Sequence, residues 1–202
     1  VYRQPTLFGD APPAVDTEFA GLTRHDLDGS TWIDHTPGWL DGADTVFDQL
    51  VDRLDWRQRE VAMYGRLLPE PRLSSWWSAR HGGIPLPVLD DIRHALDRRY
   101  GVWFSSIGFN WYRTGDDSVA WHADTRGPPV PNPTIAIVSV GTPRPFRLRP
   151  RGGGRSHTFE LGAGDLLVMG GACQHDWEHA VPKSRHCRGP RISITYRHDG
   201  NH

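Results

Sequence analysis

From Gly101 onward the chain loses helical periodicity and becomes a series of short runs rich in β-branched and aromatic residues, broken by Gly, Pro and Asp turns. No other feature restricts the fold as much. The runs are Phe104–Arg113, Val119–His122, Pro133–Gly141, Pro145–Arg149, His157–Leu161, Leu166–Met169 and Arg191–Arg197. Strands this short and this many pack as two sheets face to face. Upstream, Val46, Leu50, Val51 and Leu54 recur at helical spacing, predicting a helix over about Thr45–Trp56 with Asp41 and Asp44 as caps. Leu89, Ile92, Ala95 and Leu96 predict a second helix over about Val88–Tyr100, ended by Gly101. The expected architecture is mainly β (α+β), a double-sheet jelly roll braced by N-terminal helices.

One domain accounts for all 202 residues. It divides into an N-terminal arm and first helix (1–60), a lid and second helix (61–100) and a jelly-roll core (101–202). Residues 1–30 read as an irregular arm carrying little chemistry, with Pro5, Pro12 and Pro13. Glu70–Pro87 reads as a loop whose adjacent Trp76 and Trp77 suit a lid. Core packing is the alternative role for either tryptophan.

Within the β region, His122 and Asp124 stand two residues apart, so on an extended backbone both project from one face and reach a single ion. With 11 histidines in the chain such a pair arises by chance, and it needs a third ligand. His179 in QHDWEHAVP is the best candidate, with His175 as its substitute. Two histidines and a carboxylate make the facial set of non-haem Fe(II) oxygenases, which leaves coordination positions open. The last run, GPRISITYR, puts Arg191, Ser193, Thr195 and Arg197 on one face and Ile192, Ile194 and Tyr196 on the other. Two guanidiniums on one strand face form a clamp for a dicarboxylate. Asn110 and Tyr112, again two apart, add an amide and a phenol.

The order N-x-Y, H-x-D, a distant His and R-x5-R resembles the AlkB family of iron- and 2-oxoglutarate-dependent dioxygenases, over roughly residues 60 to 198. The resemblance implies a double-stranded β-helix core, preceded by a nucleotide-recognition lid, that oxidatively dealkylates nucleobases in DNA or RNA. Its cofactors would be Fe(II), held by His122, Asp124 and His179, and 2-oxoglutarate, held by Asn110, Tyr112, Arg191 and Arg197. Arg191 would meet the distal carboxylate and Arg197 the end nearest iron. Ser193 stands where some members have asparagine. The products would be succinate, carbon dioxide and an aldehyde, and the target base would be flipped out or taken from a single strand.

Several members that act on cationic bases carry an acidic residue two positions after the iron-binding aspartate, whereas this chain has Arg126. Either Arg126 turns away or the preferred lesion is neutral, such as an etheno adduct. For strand contact the candidates are Arg144, Arg147, Arg149, Arg151 and Arg155 around Gly152–Gly154, with a solvated hairpin as the alternative. Trp121 and Trp177 flank the ligands and are candidate pocket walls.

A net charge of −1 excludes holding nucleic acid by overall charge. Cys173 and Cys187 form no CxxC and point to a reducing compartment. With no apolar run long enough to span a bilayer, the expectation is a cytoplasmic monomer without membrane contact. Two other functions compete: an Fe(II)/2-oxoglutarate hydroxylase of a small molecule or protein, and a catalytically silent jelly roll with structural zinc. The second is disfavoured because structural zinc prefers a closed set of Cys and His.

Overall fold

A computed structural model describes residues 12–63, 65–80, 82–124, 130–187 and 189–198. In chain order its elements are β1 (Ala14–Val15), β2 (Thr23–Asp26), β3 (Thr31–Thr36), β4 (Leu40–Asp41), α1 (Ala43–Arg53), β5 (Glu60–Met63), β6 (Arg66–Pro69), β7 (Leu73–Ser78) and α2 (Pro87–Tyr100). The β region follows as β8 (Ser106–Tyr112), β9 (Val119–His122), β10 (Ile135–Gly141), β11 (Arg144–Pro150), β12 (His157–Leu161), β13 (Leu166–Gly171), α3 (Cys173–Asp176), β14 (Trp177–Val181) and β15 (Arg191–Arg197).

A seven-stranded sheet runs β2-β3-β13-β10-β15-β8-β7, and a four-stranded sheet runs β12-β11-β14-β9. From β8 onward the chain repeatedly crosses between the two sheets, and each strand pairs antiparallel. This is the jelly roll. The large sheet is covered on both sides. One face meets Val46, Phe47 and Leu50 of α1 and Leu89, Ile92 and Leu96 of α2 through Phe109, Val138, Val168 and Ile194. The other face sets Ile33, Ile135, Ile137 and Met169 against Phe146, Leu148 and Leu161 of the small sheet. Strand β10 lies between these layers and every one of its residues is buried. Its sequence is therefore a nearly continuous apolar run, interrupted only by Ser139, rather than an alternation.

The helices differ in detail from the expectation. α1 starts at Ala43 behind Gly42, whose φ of 65° places it in the left-handed region, and no side chain caps it. Asp41 and Asp44 do not serve as its N-cap. The helix stops at Arg53, and the Trp56 indole donates to the Leu50 carbonyl at 3.1 Å, satisfying an acceptor at the helix end. α2 begins with Pro87 at its first turn and ends at Gly101 with φ 65°, as its sequence predicts.

Two segments are corrected. The arm expected to be irregular contains β1 and β2, and β3 follows directly, so residues 23–36 extend the large sheet. Asp34 is buried there between the Arg24 guanidinium, at 2.7 and 2.8 Å, and the Tyr100 hydroxyl at 3.1 Å. Likewise the loop expected over Glu70–Pro87 contains β7, which closes the far edge of the same sheet against β8. Among the described residues no helix is long and apolar enough to cross a membrane, and both cysteines are free.

Candidate active site

The site lies between the two sheets, on the face of the large sheet that the small sheet covers only in part. Register assembles its floor. Across β7, β8 and β15 the opposed residues are Trp76, Gly108 and Thr195 in one row and Ser74, Asn110 and Ser193 in the next. Tyr112 faces Arg191, and Ser106 faces Arg197. Because side chains alternate, Arg191, Ser193, Thr195 and Arg197 all line a cavity of about 250 Å³, while Ile192, Ile194 and Tyr196 join the core behind.

The small sheet supplies the roof. His122 on β9 and His179 on β14 are paired directly, with ring centroids 4.2 Å apart. Asp124 follows His122, and one ligand atom from each of His122, Asp124 and His179 lies within 4.8 Å of the others. Their orientations are fixed from behind. The Ala120 carbonyl lies 2.9 Å from His122 Nδ1, leaving Nε2 toward Asp124 at 3.8 Å. The Gln174 side chain, almost wholly buried, accepts the Asp124 backbone N–H at 2.9 Å. His179 stacks on Phe146 at 5.3 Å. Burial opposes the Asp124 charge, but Arg197, His179 and His122 outweigh it and hold the carboxyl below its usual range. Burial, with His122 adding to it, pushes His179 down to about 3. A neutral imidazole and an ionised carboxylate are the protonation states that bind a divalent metal.

Opposite these residues stand the arginines. Arg197 Nη2 donates to Asp124 Oδ2 at 3.2 Å, and its guanidinium lies 5.1 Å from the Trp76 ring centre. Arg191 is 1% exposed. Its Nε donates to Ser139 Oγ at 2.8 Å, while Nη1 and Nη2 are buried with no hydrogen-bond partner among the described residues. A buried cation with two free donors is costly unless an anion meets it. Burial accordingly pushes its pKa down to about 10. The donor set fits both groups expected from the sequence, with N, N and O ligands for iron and an orphaned guanidinium fork for a carboxylate.

Other candidates are placed elsewhere. Trp77 turns to the opposite face of β7 from Trp76 and packs on the core, so only Trp76, 47% exposed, lines the cavity. Trp121 does not wall the cavity; it carries the Arg149 guanidinium 4.1 Å from its ring centre, and Arg149 also pairs with Glu178 at 3.2 Å. Arg151 donates to the Gln174 carbonyl at 3.2 Å. Arg144 is fully buried and donates to the carbonyls of Thr114, Asp117 and Pro182, which removes it from any strand contact. Trp177 is a core residue whose indole donates to Asp28 at 2.8 Å. His175 is exposed on α3 and is not part of the cluster. Cys173 is buried in the core, its thiol pushed up to about 12 by burial. Arg126 lies outside the described residues.

Several residues of the site have no sequence signal of their own. Gln174 lies in the short helix α3 before His179, and Gly108 lies between Trp76 and Arg197 with no side chain to announce it. Arg59, Glu70 and Arg72 line the cavity from the segment before β7. Only their position at the base of a short hairpin, β5–β6, with Arg59 before it and Glu70 and Arg72 after it, hints at a lid.

Comparison with known proteins bears on this geometry. A family model described as the 2OG-Fe(II) oxygenase superfamily matches residues 42–197. The chain is 31% identical to alpha-ketoglutarate-dependent dioxygenase alkB homolog 3 of Mus musculus, over 98% of this chain and 77% of that protein. It is 30% identical to the DNA oxidative demethylase ALKBH2 of Homo sapiens, over 77% of this chain and 68% of that protein. The corresponding protein of Arabidopsis thaliana is 29% identical, over 76% of this chain and 61% of its own length.

Proposed function

The chain belongs to the AlkB family within the 2OG-Fe(II) oxygenase superfamily and is an Fe(II)- and 2-oxoglutarate-dependent dioxygenase, and from that premise we propose that it dealkylates nucleobases taken one at a time from a nucleic-acid strand. The observation that carries this is that one cavity is lined both by the His122, Asp124 and His179 cluster and by Arg191, whose two terminal nitrogens have no partner among the described residues, with Trp76 at its exposed side.

In this reading His122, Asp124 and His179 hold Fe(II). Arg191 takes the distal carboxylate of 2-oxoglutarate through its two free terminal nitrogens. Arg197, already bonded to Asp124, meets the end nearest the metal. Asn110, Tyr112 and Ser193 line the space between. When bound, iron and 2-oxoglutarate would supply an oxidation that consumes dioxygen, one oxygen atom entering the succinate left by decarboxylation and the other the alkyl carbon, so that an aldehyde leaves and the unmodified base stays in the strand. The chain's own contribution is placement and exclusion of water. Val119, Ile137, Phe146 and Val181 line the cavity beside the ligands, so bulk water is kept from the reacting atoms. Trp76 offers a flat apolar face at the opening, suited to a base that has left its stack. Trp121, Arg149 and Arg151 sit away from this opening, with Arg149 held by Trp121 and Glu178 and Arg151 by the Gln174 carbonyl, so none of the three meets the base.

The test is release of succinate and of the aldehyde, formaldehyde from 1-methyladenine and 3-methylcytosine and glyoxal from etheno lesions, in single-stranded DNA and in RNA. Alkylated strands are expected to stimulate both products, and Asp124→Ala to abolish them. Turnover of 2-oxoglutarate indifferent to every alkylated strand would transfer the protein to the small-molecule or protein hydroxylases. Absence of turnover together with tight zinc binding would favour a silent module.

A further inference from the structure

We propose that Arg72 is a positioning residue that fixes which end of the Asn110 amide faces the cavity, and so tunes the affinity for 2-oxoglutarate. The inference rests on the reading above that Asn110 contacts this co-substrate.

Arg72 lies in a segment pinned on several sides. The Glu70 N–H donates to the Arg59 carbonyl at 2.7 Å, Gln58 Nε2 donates to the Glu70 carbonyl at 2.8 Å, and the Ser118 N–H donates to the Pro71 carbonyl at 2.8 Å. Arg57 and Ser74 exchange backbone hydrogen bonds at 2.9 and 3.0 Å. Within this frame the Arg72 guanidinium has a separate partner for each nitrogen. Nη2 pairs with Glu70 Oε1 at 3.1 Å, Nη1 donates to the Ser118 carbonyl at 3.5 Å, and Nε donates to Asn110 Oδ1 at 3.0 Å. The Arg72 and Glu70 side chains are 17% and 11% exposed.

The chemistry of the last contact is directional. A guanidinium carries donors only, so the Asn110 atom beside it must be the carbonyl oxygen. The Nδ2 group, with its two N–H bonds, is then left for the cavity. There it joins Arg191, Arg197 and Ser193, donors that with it suit a dianion, while Glu70 and Asp124 in the same lining are paired with Arg72 and Arg197. Without Arg72 no other hydrogen bond among the described residues selects this orientation, and a flipped amide would set its oxygen against a carboxylate. Because Glu70 neutralises Arg72, the same guanidinium is poorly available to phosphate.

Calorimetric titration of 2-oxoglutarate into the Mn(II)-loaded protein reads the effect without turnover, and KM values for 2-oxoglutarate and for a methylated oligonucleotide complete it. Arg72→Leu is expected to weaken 2-oxoglutarate binding about tenfold or more, the scale of one hydrogen bond to a charged group. The oligonucleotide KM should stay unchanged, and Arg72→Lys, which keeps a donor, should recover most of the loss. In a background of Asn110→Ala, Arg72→Leu should have no further effect on 2-oxoglutarate. Equal losses with and without Asn110, or a rise in the oligonucleotide KM alone, would overturn the proposal. An Asn110→Ala protein that binds 2-oxoglutarate normally would instead refute the assignment of Asn110 on which it stands.

Discussion

A methyl group on Gly108 would collide with Arg197 Nη1 and stand 3.1 Å from the Trp76 ring. Arg197 is the flexible partner, so the strand survives the change while the guanidinium moves off Asp124. Gly108→Ala is expected to lower kcat/KM on the order of 10²-fold with little change in Tm, since small displacements of reacting groups carry penalties of that size. Wild-type kinetics in that variant would show that the close approach of Trp76 and Arg197 is irrelevant to turnover. Arg191 makes the opposite kind of prediction. Its charge is buried with two donors free, so Arg191→Met should leave the free protein at least as stable as the parent. Saturating 2-oxoglutarate should raise the parent's Tm by roughly 5 to 10 °C and the variant's not at all. A thermal shift retained in Arg191→Met would remove this guanidinium from the co-substrate site. Side chains that project in register on one strand were legible in the sequence, because the period of two decides where Arg191 and Arg197 point. Arg72 and Gln174 were not, since each acts through a contact between segments distant in the chain.

Among the elements, the turn between β2 and β3 reaches furthest in sequence. Asp28 Oδ1 accepts the N–H groups of Ser30 and Thr31 and the Ser30 hydroxyl, and Oδ2 accepts the indole N–H of Trp177, 149 residues away. The turn is thus tied to β14, the strand that presents His179. Partial burial acts to raise the Asp28 pKa, but the Trp177, Ser30 and Thr31 hydrogen bonds prevail and hold it down to about 2. A carboxyl lowered in the fold stabilises above its ordinary pKa near 3.8 and loses that contribution as the pH falls through about 2. Asp28→Asn should therefore cost about 1 kcal/mol at neutral pH, after allowing for the residue's exposure, and the difference should shrink between pH 4 and pH 2. Urea midpoints for both proteins across that range check the sign; a constant difference would show that charge is not what holds the turn. The same element explains a gap in the sequence reading. Neither TWIDHT nor WEHAV alternates cleanly, and each is short and flanked by polar residues, so neither stands out until its sheet neighbours are known. β7 was hidden by nearby prolines and glycines that mark the loop after it, not the strand.

At the scale of the whole molecule, the charge distribution decides how a strand is held. The net charge is −1, and the arginine-rich run that suggested a strand-binding patch is largely committed elsewhere. Arg144 serves three carbonyls in the interior, Arg149 is paired with Glu178, and Arg151 is bonded to Gln174. Arg147 and Arg155 remain outward on the small sheet and its hairpin. The fold was legible from strand count and period, whereas the fate of these arginines was not, because burial of a charge depends on which loops fold over it. Two or three phosphate contacts on a single strand correspond to a log–log salt slope of about −1.4 to −2.1, or roughly tenfold weaker binding between 50 and 200 mM salt. A protein gripping a duplex through six to ten phosphates loses about 10³ to 10⁵ over the same interval. The oligonucleotide KM is therefore expected to depend weakly on salt, with short methylated strands serving nearly as well as long ones. The Arg147→Ala, Arg155→Ala double variant should flatten the slope further without altering the KM for 2-oxoglutarate. A slope steeper than about −4 would mean that the strand meets a basic surface these arginines do not provide.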